Sequence, residues 1–130
     1  MFHREDANSA FEFVERKKDG EEIPQDPPGE GEEEPDPIFL DGLDGPRGVV
    51  VSPDGENVYV AGSNEHSIVV FSRNPLNGKL THVKTYKDGQ NDLVGLAGVF
   101  TLAMSADGKF LYATSVARES WRGAQSTGWW

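Results

Sequence analysis

The sequence predicts an all-β protein assembled from repeated four-stranded antiparallel sheets, and three observations carry that reading. Residues 43–62 recur 53 positions later as residues 96–115, identical at six of 20 positions. Residues 2–20 recur 69 positions later as residues 71–89, identical at seven of 19. The apolar residues fall in short β-branched stretches separated by Gly, Pro and Asn turns, and no helical period competes with them. The two shifts differ by 16 residues, and the run 21–36 (EEIPQDPPGEGEEEPD) has that length, so it reads as an insertion into one copy of a 53-residue repeat.

The uninterrupted copy, residues 43–89, resolves into four strands. Residues 47–52 (RGVVVS) hold a continuous Val run, which predicts an inner strand buried on both faces. Ser52-Pro53-Asp54-Gly55 is a tight turn, in which Pro presets φ and Gly is free to take φ > 0. Residues 57–61 (NVYVA) alternate and give the second strand, and Asn64-Glu65-His66 make the next connection. Residues 67–73 (SIVVFSR) give the third, Asn77-Gly78 mark a hairpin, and residues 80–87 (LTHVKTYK) give the fourth and most polar strand. Four antiparallel strands ordered in this way describe one blade of a propeller. The sequence then divides into the second half of a blade (1–20), an acidic Pro/Gly-rich insert (21–42), a complete blade (43–89), the first half of the next (90–116) and a non-repeat tail (117–130), where Trp121-Arg122-Gly123-Ala124 stands in place of the expected apolar strand.

Charge is unevenly placed. The net charge is −10, yet residues 1–41 hold 14 acids against 4 bases while the remainder is balanced at 8 and 8. That sign excludes a nucleic-acid partner, and the lack of a long apolar run predicts no membrane insertion. The run 21–36, with eight acids, four Pro and no base, is expected to be a solvated, disordered loop. Its clustered carboxylates suit a calcium ion in kind, but the Asp-x-Asp-x-Asp-Gly spacing is missing, and no metal or other cofactor is expected. His3 and His82 stand at other repeat phases than His66, so the three His form no metal constellation.

Ser-Pro-Asp-Gly followed by Val58-Tyr59-Val60-Ala61-Gly62, then an apolar strand ending Val70-Phe71-Ser72-Arg73 and a Gly-containing hairpin, resembles the YVTN-type repeats of the lactonase (6-phosphogluconolactonase-like) β-propeller family. The resemblance implies blades of a seven-bladed ring and a periplasmic or extracellular setting. On this scale the chain is an incomplete propeller of about two blade-equivalents, and its complementary half-blades suggest self-association to complete blades. The motifs are turn and packing positions, so the resemblance transfers no catalytic residue.

On an up-and-down blade, the loop joining the second and third strands shares a face with the connector leading into the first strand. The expected ligand-binding face therefore holds Asp44, Arg47, Asn64, Glu65 and His66. Arg47 either clamps a carboxylate or phosphate or pairs with Asp44 as a loop staple. His66 with Glu65 is either a general base and its helper or an exposed loop pair. The leading expectation is a non-catalytic binding or interaction segment of a larger propeller, taking an unidentified protein or small-molecule ligand. The alternative is a lactonase-like hydrolase of a sugar or aromatic-acid lactone.

Overall fold

A computed structural model describes residues 1–4, 10–116 and 127–129. Its strands are β1 (Phe2–His3), β2 (Glu12–Phe13), β3 (Glu22–Ile23), β4 (Ile38–Phe39), β5 (Pro46–Val51), β6 (Asn57–Gly62), β7 (Ser67–Arg73), β8 (Leu80–Lys87), β9 (Val99–Met104), β10 (Leu111–Val116) and β11 (Thr127–Trp129), with one 3-10 turn, η1 (Ser63–Glu65), between β6 and β7. All pairings are antiparallel, and β5-β6-β7-β8 form the complete four-stranded blade. The all-β, blade-built fold class follows directly, and no helix among the described residues is long and apolar enough to cross a membrane.

The repeat seen in sequence is reproduced in register. Within the complete blade Val51 pairs with Val58 and Val49 with Val60; 53 residues on, Met104 pairs with Leu111 and Leu102 with Ala113. The other shift behaves alike: Phe71↔His82 and Ser72↔Thr81 recur as Phe2↔Phe13 and His3↔Glu12. Even the edge-on ring contact is repeated, 6.2 Å for Phe71–His82 and 6.0 Å for Phe2–Phe13. The Ser-x-Asp-Gly turns share one chemistry. Asp54 Oδ1 accepts from the Ser52 hydroxyl (2.5 Å) and the Glu56 N–H (2.9 Å), and Asp107 does the same for Ser105 and Lys109. The serine hydroxyl holds each carboxyl below its ordinary range.

Two apolar clusters flank the β6–β7 pair. Leu40, Leu43, Val58, Val69 and Phe71 fill one face, and Ala61, Ile68, Leu96, Val99 and Ala113 fill the other, where the complete blade meets β9 and β10. The strand buried on both faces is thus β7, and the expectation that the Val run of β5 is so buried is corrected: Val49 and Val51 are 65% and 50% exposed. The cause is the neighbour each strand has. The Val49/Val51 side of β5 turns toward the position of the preceding blade, where the described residues supply only the two outer strands β1 and β2.

The insert is also more built than its composition suggested. Its flanks pair as β3 and β4, Leu40 N–H donates to the Glu21 carbonyl at 2.7 Å, and Ile23 packs against the first cluster. Only the stretch between the two strands is an extended, solvated arm. In the tail, residues 117–126 and 130 lie outside the described residues, whereas Thr127–Trp129 run along β10 as the third strand of its sheet.

Candidate functional site

The connector from β4 to β5 is pinned by Asp19, which stands in the turn before β3. Asp19 Oδ1 accepts from the N–H groups of Gly42 (3.1 Å) and Leu43 (3.0 Å). One repeat later Asp88 Oδ1 accepts from Leu96 N–H at 2.9 Å. At both positions the carboxylate of an Asp-Gly pair staples each blade to the next. Two backbone bonds, Ser63 N–H to Gly45 O (2.9 Å) and Asn64 N–H to Asp44 O (3.2 Å), then bring η1 against the connector.

The five expected face residues separate into two groups. Arg47, Asn64 and His66 line one cavity of about 460 Å³ with Ser63, Gly98 and Phe100. Glu65 belongs instead to a charged cluster with Asp19, Asp41 and Lys87, and Asp44 meets that cluster through its backbone N–H, which donates to Glu65. Arg47 is the extra residue of a β-bulge: Pro46 pairs with Gly62 and Gly48 with Ala61, leaving Arg47 unpaired in the ladder. Phe100 is the corresponding extra residue of β9. The two bulged residues meet, with the Arg47 guanidinium 5.6 Å from the Phe100 ring centre. No carboxylate lies within ion-pair distance of Arg47 among the described residues, so the staple with Asp44 does not form. Phe100 is a site residue that sequence reasoning missed; its signal was the 53-residue offset from Arg47.

His66 closes η1 in the left-handed region (φ 54°), and its Nδ1 accepts from Gly98 N–H at 2.8 Å. With Nδ1 occupied as an acceptor, Nε2 carries the proton and is the donor left to the cavity. Glu65 does not assist it. Glu65 Oε2 accepts from Asp44 N–H (3.1 Å) and Oε1 lies 3.9 Å from Lys87 Nζ. The paired Glu65–His66 base is therefore not assembled.

The carboxylate oxygens of Asp19, Asp41 and Glu65 lie within 4.8 Å of one another, and the Lys87 ammonium, 2.6 Å from Asp41, supplies the compensating charge. The Lys87 hydrogen bond holds Asp41 below its ordinary value, and the same bond holds Lys87 above its own. Burial, reinforced by the neighbouring Asp41 and Asp19 charges, pushes Glu65 up. The signs set a pH dependence. Lys87's contribution is complete below about 10.5 and is lost as pH rises through its raised folded value; Asp41's is lost as pH falls below 3.8; Glu65 opposes, since charging it above 4.5 costs stability. Lys87→Met is expected to cost about 1 kcal/mol at neutral pH. It should also abolish the alkaline decline in stability, as read by urea unfolding from pH 5 to 11; an unchanged alkaline limb would remove Lys87 from this role.

Residues 29–120, which include the complete blade, the connector and the cavity, match the family described as lactonase, 7-bladed beta-propeller. The chain belongs to that family. An uncharacterized protein of Lactococcus lactis subsp. cremoris (strain MG1363) is 33% identical over 76 residues, 58% of this chain and 22% of the relative. The uncharacterized protein YwcC of Lactococcus lactis subsp. lactis (strain IL1403) is 32% identical, also over 76 residues and with the same coverage. A crystal structure of a putative 6-phosphogluconolactonase from Bacteroides uniformis ATCC 8492 superposes with a TM-score of 0.50 at 22% identity, over 72% of this chain and 29% of that one. That likeness is one of fold. The chain thus spans between a fifth and a third of the length of these proteins, in keeping with the two blade-equivalents of its sequence.

Proposed function

We propose that the chain is a non-catalytic binding module of a lactonase-family propeller, and that its loop face holds a small anion, a carboxylate or a phosphate. The observation that carries this reading is the Gly98 N–H···Nδ1 bond, which leaves His66 presenting a donor beside the Arg47 guanidinium, which has no carboxylate partner among the described residues. The Asn64 amide lines the same cavity, and with Arg47 and His66 it makes a donor-rich recess. A general base needs a free acceptor nitrogen, and His66 would have to release Gly98 to offer one.

Titration calorimetry of the 130-residue chain with inorganic phosphate and with a sugar carboxylate tests this. One saturable site is expected, weakened roughly 10-fold or more in Arg47→Ala and in His66→Ala, since each removes a hydrogen bond to a charged ligand worth about 1.5–3 kcal/mol. Equal affinity in both variants and the parent chain, or no binding, overturns it. Family membership favours a second reading, a hydrolase opening a sugar or aromatic-acid lactone. Lactone hydrolysis by the parent chain that disappears in both variants would decide for the enzyme.

A further inference from the structure

Arg47 and Phe100 hold the same place in two successive copies of the repeat, 53 residues apart, and each is the residue left over where the ladder of a first strand slips. A bulge takes its extra residue out of the strand's ordinary alternation, so both side chains are re-aimed at the junction between the complete blade and β9. The two backbones come close there. A Cβ on Gly48, the residue after Arg47, would stand 2.9 Å from the Phe100 carbonyl oxygen and 3.2 Å from the Thr101 Cα. One repeat later the position of Gly48 is held by Thr101. The glycine lets β5 lie against β9 tightly enough for the two bulged side chains to meet, with 5.6 Å between the Arg47 Cζ and the ring centre.

The partner that the fold gives each cation decides what that cation can still do. Lys17 and Lys87 lie within ion-pair distance of carboxylates, and an Arg73 N–H donates to the Gly55 carbonyl at 3.1 Å. Those cations are held by groups that take up their hydrogen-bond donors. A ring holds a cation differently: the attraction is to the negative face of the π-system, and no N–H is consumed. The five N–H donors of Arg47 therefore remain for a ligand while the side chain is restrained. The restraint matters because Arg47 is exposed, and a free arginine loses its rotamer freedom on capturing an anion.

Phe100 is placed for this task and not for a core. It is 45% exposed, neither apolar cluster includes it, and it lines the same recess as Arg47, Asn64 and His66. We infer that Phe100 is a positioning residue of the anion recess: its ring, supplied by one blade, holds the guanidinium supplied by the blade before it and thereby sets the affinity of the recess. This rests on the anion reading above and deepens it, since the recess is then completed across a blade junction. Phe100 acts through Arg47.

Titration calorimetry of the 130-residue chain with inorganic phosphate reads the effect. Phe100→Leu keeps apolar bulk and removes the π-face; it is expected to weaken phosphate about 2- to 5-fold, the range an exposed contact of this kind supports. Phe100→Trp, whose indole attracts cations best, is expected to restore or exceed the parent affinity. The deciding series replaces Phe100 site-specifically by 4-fluorophenylalanine and then by pentafluorophenylalanine. Fluorine drains charge from the ring face with little change of size, so affinity should fall in step along the series while the urea midpoint stays constant. A merely structural ring predicts no such gradient. The contact is also read without any ligand: the Arg47 side-chain protons should lose a ring-current shift in Phe100→Leu. Phosphate affinity that is flat along the fluorine series, while Arg47→Ala still weakens binding, overturns the positioning role and leaves the anion reading standing. Phosphate binding that is absent, or indifferent to Arg47→Ala, overturns both. Arg47 protons that do not move in Phe100→Leu remove the contact and the inference with it.

Discussion

Gly62→Ala is expected to destabilise the fold by roughly 3 kcal/mol or more, although it adds a single methyl group. Gly62 ends β6 with an extended backbone (φ −97°), so alanine's own conformational preference is not the obstacle. Space is. A Cβ on Gly62 would run into the Gly42 carbonyl oxygen and sit 2.7 Å from Ser67 Oγ. That carbonyl accepts the buried Ser67 hydroxyl at 2.6 Å, and the Gly42 and Leu43 N–H groups on either side of it are held by Asp19. Moving the connector to admit a methyl therefore breaks the blade-to-blade staple as well as the serine bond, and the buried hydroxyl is left without its partner. The next repeat shows how a side chain is accommodated there. Position 115 is serine, and its own hydroxyl donates to the Gly95 carbonyl at 2.7 Å, replacing the bond that the third strand makes in the complete blade. The double variant Gly62→Ser, Ser67→Gly is accordingly expected to be more stable than Gly62→Ala in urea unfolding. A Gly62→Ala chain with an unchanged midpoint would show that the connector is not fixed by these bonds.

The parts of the structure legible in the sequence are those set by short-range periodicity and turn chemistry. Ser-x-Asp-Gly turns, the Asn77-Gly78 hairpin and the β-branched alternation placed β6, β7 and β8 to within a residue of their ends. The two repeat offsets even contained the strand registers, because one pairing scheme is reused. What the sequence did not reveal depends on neighbours. Burial of β5 against β7 is decided by which blade faces which side, and a Val run is compatible with either. The base of the acidic insert had a visible signal, apolar Ile23 at one flank and Ile38-Phe39 at the other, which the eight acids of residues 21–36 masked. Arg47 was placed on the correct face, but its bulge leaves no mark in composition, and neither does the contact with Phe100 that the bulge creates. The Glu65–His66 pairing failed for a topological reason: adjacent residues at the end of a 3-10 turn send their side chains to different blades, one to Gly98 and the other to Asp44 and Lys87.

Phe71→Ala is expected to cost about 3–5 kcal/mol, a large fraction of the stability of a domain whose total is of order 5–15 kcal/mol. Phe71 is 1% exposed and is among the largest fully buried side chains among the described residues. It sits on β7 opposite Val58 in one ladder and His82 in the other, and it seals Leu40 and Leu43 from the connector beneath the insert. Removing the ring leaves a cavity bordered by three separate segments that cannot all collapse into it, since β6 and β8 are held by β7 and the connector is stapled by Asp19. A loss of packing at this point has a spectroscopic companion. Burial holds the His82 imidazole below its ordinary 6.5, and its ring meets Phe71 edge-on. In Phe71→Ala that ring becomes more hydrated, so its titration should move up toward 6.5 in the fraction that remains folded. Leu76→Ala, at a hairpin position 90% exposed, is the matched control and should change stability by less than about 0.5 kcal/mol. If the two variants unfolded at the same urea concentration, the third strand would not be the anchor of the blade, and the core would have to lie along the Val run of β5 after all.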